Sequence, residues 1–572
     1  MQHVSTTGKL VYVVSRLRLF SKSALRLILK IKATLTKHKL ISPSYSYQQD
    51  CTIPLLCTAM KTTIFAIFLF VFYLPLLLLA QKEKLGQEQL IFYSVRSALS
   101  KPESAYKLYL DQQDLTELSE EITKLVNLEE IYLGGNSQLN WAEAFALLAK
   151  LPRLHRLDLS DANLKALPDN ISQIKSLRSL TLLNNPDLDW EAAITTIARL
   201  PQLTRLDLGN NKLSNLPQSI GLLTTLQELY LWENTLTNLP PCIGNFKKLR
   251  VLDISNNTLR RLPPEIRKLY NLRQLHLWGN RLTELPDEIG KLSRLQQLDL
   301  SSNYIDELPL SIVKLSRLQQ LDIPYNNLKY LPTNIYKLSE LRQLSLSGNP
   351  NMNWNELFAE GVPPSLEELD LENNNLHNLP AALILFKTVT NINLSGNPYI
   401  SWIDACHILS RIKSLKTLSL KNNQLTELPN ELALLAELTS LHLAQNPTID
   451  WQKAAPILTR LSNLQHLNLS HNQLLSLPKE INKFANLQSL DLSGNPEMAW
   501  ASTFTMLKDL KSLQTLVLSD NQLDTLPTEI SQLRGLRQLH LWLNNIQFNS
   551  EAHQDILRNL PHTQLIYMPD FF

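Results

Sequence analysis

The chain has 572 residues, more than one hydrophobic core usually fills, so its length implies several domains or a repeated array. With 44% hydrophobic and 19% charged residues it is neither collagen-like nor wholly disordered. Its 14 glycines include no G-x-x-x-x-G-K-[ST] or G-x-G-x-x-G string to cradle a phosphate, and four cysteines are too few for a disulfide-dense scaffold.

The formal charge of +3 is unevenly placed. Residues 1–59 carry nine Lys/Arg, among them Arg16, Arg26 and Lys39, against Asp50 alone, which gives +8. Met60 and Lys61 then precede an uncharged apolar run from Ile64 to Leu79, closed by Ala80. A charged start, an apolar stretch and a small residue form the pattern of a secretory signal peptide over 60–80. Pro75 suits that reading better than a membrane helix. Because such a signal belongs at an N-terminus, Met60 reads as the true start and 1–59 as a basic leader or mis-called extension. The competing reading is a basic tail ahead of a single-pass membrane anchor, positive side inward. Residues 81–572 then carry a net −6, which argues against nucleic acid as a partner, since phosphate binding needs a basic surface.

Residues 81–104 read as an N-terminal helical cap on Leu90, Ile91, Val95 and Leu99. From there to residue 548 one unit, L-x-x-L-x-L-x-x-N-x-L, recurs nineteen times at steps of 23, 25 or 26 residues. Leu203, Leu206, Leu208, Asn211 and Leu213 are one copy. The ninth position is Asn in seventeen units, with Gln113 and Ala162 the exceptions. Alternating L-x-L predicts a short strand with one buried face. No unit can bury its leucines alone, so neighbours must stack, and the Asn amides are placed to bond the backbone of adjacent turns.

Shorter units continue L-P-x-x-I-x-x-L, as in Leu285, Pro286, Ile289 and Leu292, and predict an extended or briefly helical return path. Longer units read N-P-x-[LMI]-x-W and place Trp141, Trp190, Trp354, Trp402, Trp451 and Trp500 at one position. Asn140, Asp189, Asn353, Ser401 and Asp450 stand before them as helix N-caps, with Glu143 and Glu356 completing capping boxes. An α-helix is expected in each longer unit, with its Trp in the core. Residues 549–572 read as a closing cap built on a helix over 551–560.

These motifs resemble the leucine-rich repeat family across about residues 105–548, in its bacterial exported form. The lead-in Ala98-Leu99 … Lys101-Pro102-Glu103 … Tyr106-Lys107-Leu108 adds to that likeness. The resemblance implies an α/β fold: a solenoid, or horseshoe, with a concave parallel β-sheet and a mixed helical and extended convex side. No H-E-x-x-H or C-x-x-C pattern occurs, and Cys242 and Cys406 lie in distant units as single thiols. The chain therefore reads as a non-enzyme with no cofactor and no metal, exported to the periplasm, cell surface or medium.

Function then falls to the concave face, where the third, fifth, seventh and eighth residues of each unit point. The fifth column holds Tyr230, Asp253, His276, Asp299 and Asp322 in successive units. Trp232 and Trp278 stand in the seventh, Glu233 and Tyr325 in the eighth. Aromatic residues among acids have the composition of an interaction hot spot, and a protein, or alternatively a glycan, is the expected partner. Trp278 sits in a Gln-Leu-His-Leu-Trp string that recurs at 538–542, so repeat consensus is the competing account of it. The acidic row could hold a cation or act as acid and base; solvated surface acids are the ordinary account of it. Two other functions fit the same array. One is an intracellular scaffold resembling leucine-rich repeat proteins that bind Ras-type GTPases, the other a membrane-anchored receptor-like protein. Asn-x-Ser/Thr strings start at Asn170, Asn256, Asn393 and Asn468.

Overall fold

The computed structural model describes residues 90–567. The basic leader, the signal-or-anchor run at 60–80 and the residues from 568 onward lie outside the described residues. The described chain forms one parallel sheet of 21 strands. Nineteen of these, from Lys107–Tyr109 to Gln538–His540, are three residues long and fill the third to fifth positions of the nineteen units. Register advances one unit per strand, so Glu228, Leu229 and Tyr230 stand beside Val251, Leu252 and Asp253, and these beside Gln274, Leu275 and His276. The backbone ladder runs on past each strand: Leu231 N–H donates to the Asp253 carbonyl at 2.8 Å and Glu233 N–H to that of Ser255 at 3.0 Å.

Leucines at the fourth and sixth positions, such as Leu229 and Leu231, are fully buried between the sheet and the return path. Each such side chain is worth about 1.5–3 kcal/mol when removed from water. A unit gains that only if its neighbours cover it, which is why the core is one continuous strip and not a set of separate cores.

The return path follows unit length. In short units a Pro ends the extended run and its carbonyl accepts the first bond of a five-residue 3-10 turn, as in Gln218–Leu222 after Pro217. Long units carry eight-residue α-helices at Trp141–Leu148, Trp190–Ile197, Trp402–Leu409, Trp451–Leu458 and Trp500–Leu507. Asn140 accepts from Glu143 N–H at 3.4 Å, Asp189 from Ala192 N–H at 3.2 Å, and Asp450 from both Gln452 and Lys453 N–H. Trp141 and Trp500 are buried, and the other four tryptophans of this column pack half-buried against the core.

The third long unit departs from expectation. It holds only a three-residue turn, Trp354–Glu356, and the Asn353 side chain caps nothing. This unit is 25 residues long, and it closes with Gly361-Val362-Pro363-Pro364. Two prolines bring no N–H to a helix and bias Val362 away from helical backbone, while Phe358 already turns left-handed at φ 63°.

Two further strands extend the sheet. Ile91–Phe92 pairs with Lys107 and Leu108, and Gln564–Ile566 pairs with Gln538–His540. Within 81–104 the described part is thus that strand, a helix Val95–Leu99 capped by Ser94, and a 3-10 turn Pro102–Ser104. After residue 548 the helix Glu551–Asn559, capped by Ser550, is followed by the last strand.

The ninth-position asparagines form the expected ladder. Asn234 Nδ2 donates to the carbonyls of Leu208 (3.0 Å) and Leu231 (2.9 Å), while its Oδ1 accepts from the N–H of Asn211 (2.9 Å) and Leu213 (3.0 Å). In the middle of the array Asn303 joins Leu277 and Leu300 O to Leu282 N–H in the same way. These amides are buried, so each bond satisfies a backbone group that water does not reach.

Candidate interaction face

Residues at the third, fifth and seventh positions lie on the face of the sheet opposite the core. Register brings the predicted fifth-column residues side by side: Tyr230 beside Asp253, Asp253 beside His276, His276 beside Asp299, and Asp299 beside Asp322. All are half-buried.

Tyr230 is tied into a cluster rather than projecting freely. The Arg205 guanidinium lies 4.1 Å from the centre of its ring, donates to its hydroxyl at 2.7 Å and pairs with Glu228. Tyr230 in turn donates to Glu228 at 3.1 Å, and burial pushes its phenol up to about 12. Trp232 is seated on the sheet: its indole covers Gly209 of the preceding unit so closely that no Cβ would fit there. Trp278 occupies the same column two strands on and is half-buried, as is Glu233, whose carboxyl burial holds above its ordinary value. Tyr325 is the exposed member, at 52%, with its ring lying over Gly348 of the next unit.

The eighth column has a backbone property that the sequence pattern did not announce. In every unit this residue is left-handed, from Gln112 at φ 56° through Glu233 at 51° and Tyr325 at 55° to Leu543 at 56°. Asn, Gly and Asp recur there because they tolerate that hand; for other residues it costs roughly 1–2 kcal/mol. Glu233 and Tyr325 therefore hold positions chosen first by the chain's turn.

The acidic row also has a structural duty. Asp158, Asp253, Asp299 and Asp491 each accept from the N–H two residues on, belonging to Ser160, Ser255, Ser301 and Ser493. The carboxylate thereby closes the turn that ends the strand. Asn393 and Asn468 do the same with Ser395 and Ser470, so two of the four Asn-x-Ser/Thr strings are this turn. Asp322 is the exception, because its seventh position is Pro324, which has no N–H. Its carboxylate takes one bond, from Gln320 Nε2 at 2.6 Å. Burial, with Asp299 and Asp370 on either side, pushes it up to about 6.

Asp322 also borders a depression of ≈ 610 Å³ in this face. Its lining runs from Gln320 through Ser345, Glu368, Asp370 and Asn393 to Ser419 and His442, six strands in all. Only Asp322 belongs both to it and to the predicted row. The depression lies where short side chains fill the fifth column, a signal readable from Ser345, Asn393 and Ser419 once the columns are aligned. Sequence reasoning also passed over Tyr109 and Tyr132, whose rings stack 4.2 Å apart at 4°, with Arg156 5.5 Å from the centre of the Tyr132 ring. Both stand in the fifth column and were legible there.

Among the described residues no group of three or more His, Cys, Asp or Glu is placed to hold a metal ion, and no helix is long and apolar enough to cross a membrane. Cys406 is buried, its thiol pushed up to about 12 by burial, and Cys242 is half-buried; both are free.

Family models match along the array: a leucine-rich repeat region over 245–360, Zer-1-like leucine-rich repeats over 145–268, a pair of leucine-rich repeats over 462–499, and single repeats at 365–385, 414–435 and 512–533. A comparison with curated proteins gives no match. Similar solved structures include a leucine-rich repeat protein of Leptospira interrogans, 29% identical over 84% of this chain and 100% of that one, with a TM-score of 0.41. A TDR receptor is 25% identical over 84% of this chain and 87% of its own, with a TM-score of 0.46. The plant peptide hormone receptor RGFR1 in complex with RGF2 is 20% identical over 82% and 83%, with a TM-score of 0.41. With its recurring unit, its parallel sheet of one strand per unit, its asparagine ladder and these matches, the chain belongs to the leucine-rich repeat family.

Proposed function

We propose that this chain is a non-catalytic protein-binding array, exported from the cell that makes it, and that it holds its partner on the inner face of the sheet. The observation that carries the reading is the run of polar and aromatic side chains, most of them half-buried, across that face, while the described helices and 3-10 turns pack against one another along the return path. Such a surface has the breadth of a protein interface and the aromatic content of one. Export rests on the pattern of residues 60–80.

Photo-crosslinking tests the binding face. A crosslinker at Ser345 on the inner face should capture a protein partner in the native host, and one at exposed Lys150 on the return side should not. Capture from Lys150 alone would move the interface elsewhere. Mass spectrometry of the secreted fraction tests export: an N-terminal peptide beginning at Gln81 is expected, and intact 60–80 in cytosolic protein would favour the intracellular scaffold.

A further inference from the structure

The inner face is not uniform in charge. From the strand Val251–Asp253 to the strand Asn391–Asn393 the third, fifth, seventh and eighth positions hold Asp253, Asp299, Asp322, Glu368, Asp370 and Glu372. No Lys or Arg stands at any of those positions. The contrast is with the earlier strands, where Lys107 pairs with Glu130 at 3.0 Å and Arg205 with Glu228, so that charge there is already matched within the sheet. At the second positions beside this stretch stand exposed Arg250 and Arg273, and Arg342, which is engaged with Glu367 at 2.6 Å.

Three features make this stretch more than a row of acids. It holds the first four of the six strands that line the depression of ≈ 610 Å³, which continues to Ser419 and His442. Pro324 removes the turn N–H from Asp322, so one carboxylate inside it lacks the backbone donor that its counterparts use. Exposed Tyr325, at 52%, stands in its eighth column, while Tyr304 and Tyr330 lie past the asparagine ladder, Tyr330 already donating to Glu307. Tyrosine faces attract Lys and Arg, and their stems pack on the rings.

We infer that the inner face between Val251 and Asn393 binds an extended, Lys/Arg-bearing segment of a partner protein, whose cations lie against Asp322, Glu368 and Asp370 and whose stems lie against Tyr325. This rests on the inner-face reading above and adds the partner's chemistry. An anionic segment would meet unmatched carboxylates, and repulsion of that kind suppresses wrong partners as effectively as attraction selects right ones.

The test pans a random-peptide phage library against the full chain and measures selected peptides by fluorescence anisotropy. Selected peptides should be enriched in Lys and Arg, bind more weakly as salt rises, and lose about tenfold or more in affinity to the D322N/E368Q/D370N variant. The E121Q/E143Q/E191Q variant, altered only at exposed return-side acids, should bind as the native chain does. Peptides without cationic enrichment whose binding falls with Trp278→Ala would overturn this inference and leave the inner-face reading standing. Peptides indifferent to every inner-face variant, or a library that yields no binder, would count against both.

Discussion

Replacing Asn234 by Ala removes two bonds it accepts and three it donates at once. The three carbonyls keep other partners, because Leu208 O is also bonded by Asn211, Leu231 O by Asn257 and Trp232 O by Asn210 N–H. The two N–H groups, of Asn211 and Leu213, are left without this acceptor. A buried donor left unsatisfied costs about 1–3 kcal/mol, and each lost bond a net 0.5–1.5 kcal/mol, so N234A should destabilise by roughly 3–6 kcal/mol. Asn303→Ala exposes the same logic with one N–H fewer, since Leu282 N–H alone is shown bonding Asn303 Oδ1. It should therefore cost about 1–3 kcal/mol less than N234A. In a repeat array the damage is local, so hydrogen exchange is the assay. Amides of Asn211 and Leu213 should exchange faster in N234A, and that of Leu282 in N303A. Equal effects from the two variants, or a cost below about 0.5 kcal/mol in either, would refute the account of the ladder as backbone satisfaction.

Three further outcomes follow from the same geometry. Ala162 leaves a gap in the ladder; Ala162→Asn should gain about 0.5–1.5 kcal/mol in urea unfolding by supplying an acceptor to Asn136 N–H, as Asn211 does for Asn185, and a loss of stability would show that the space is filled. Asp322 is raised from 3.8 to about 6 in the fold, so its charged form is disfavoured there and stability falls as pH rises through that window. Asp322→Asn should then be more stable than the native chain above about pH 6, by at most about 3 kcal/mol, with the gap closing toward pH 4 in thermal melts; a pH-independent gap would refute the shift. Gly209→Ala places a methyl where the Trp232 ring lies, so it should cost about 1–3 kcal/mol and raise the accessibility of one tryptophan to a fluorescence quencher. Unchanged quenching would mean that the ring is not seated there.

The strand, the buried leucines and the ladder were legible because each is encoded inside a single unit and then repeated. What depends on a departure from the unit was not. The helix expected at Trp354 is lost to a unit one residue shorter and to Pro363 and Pro364. The edge strands at Ile91 and Gln564 have no ninth-position Asn to announce them. Within the candidate face, the register sets the fifth-column residues side by side, but their Asp-x-Ser turns were hidden by reading one column at a time. The depression arises from several short side chains spread over six strands, so no unit carries its signature.

The left-handed eighth column bears on how such a surface can change. Three columns of the inner face carry no such backbone hand, and side chains there are constrained only by packing and by the Asp-x-Ser turns. The fourth is policed by the mirror-image turn, which admits Asn, Gly and Asp freely and taxes everything else. Tyr325 and Leu543 are bulky residues that persist under that tax, with more than half of each side chain turned to solvent and little burial to offset it. Comparing future variants of this array at those two positions, ahead of the crowded acidic row, is the most economical way to separate what the turn requires from what a partner selects.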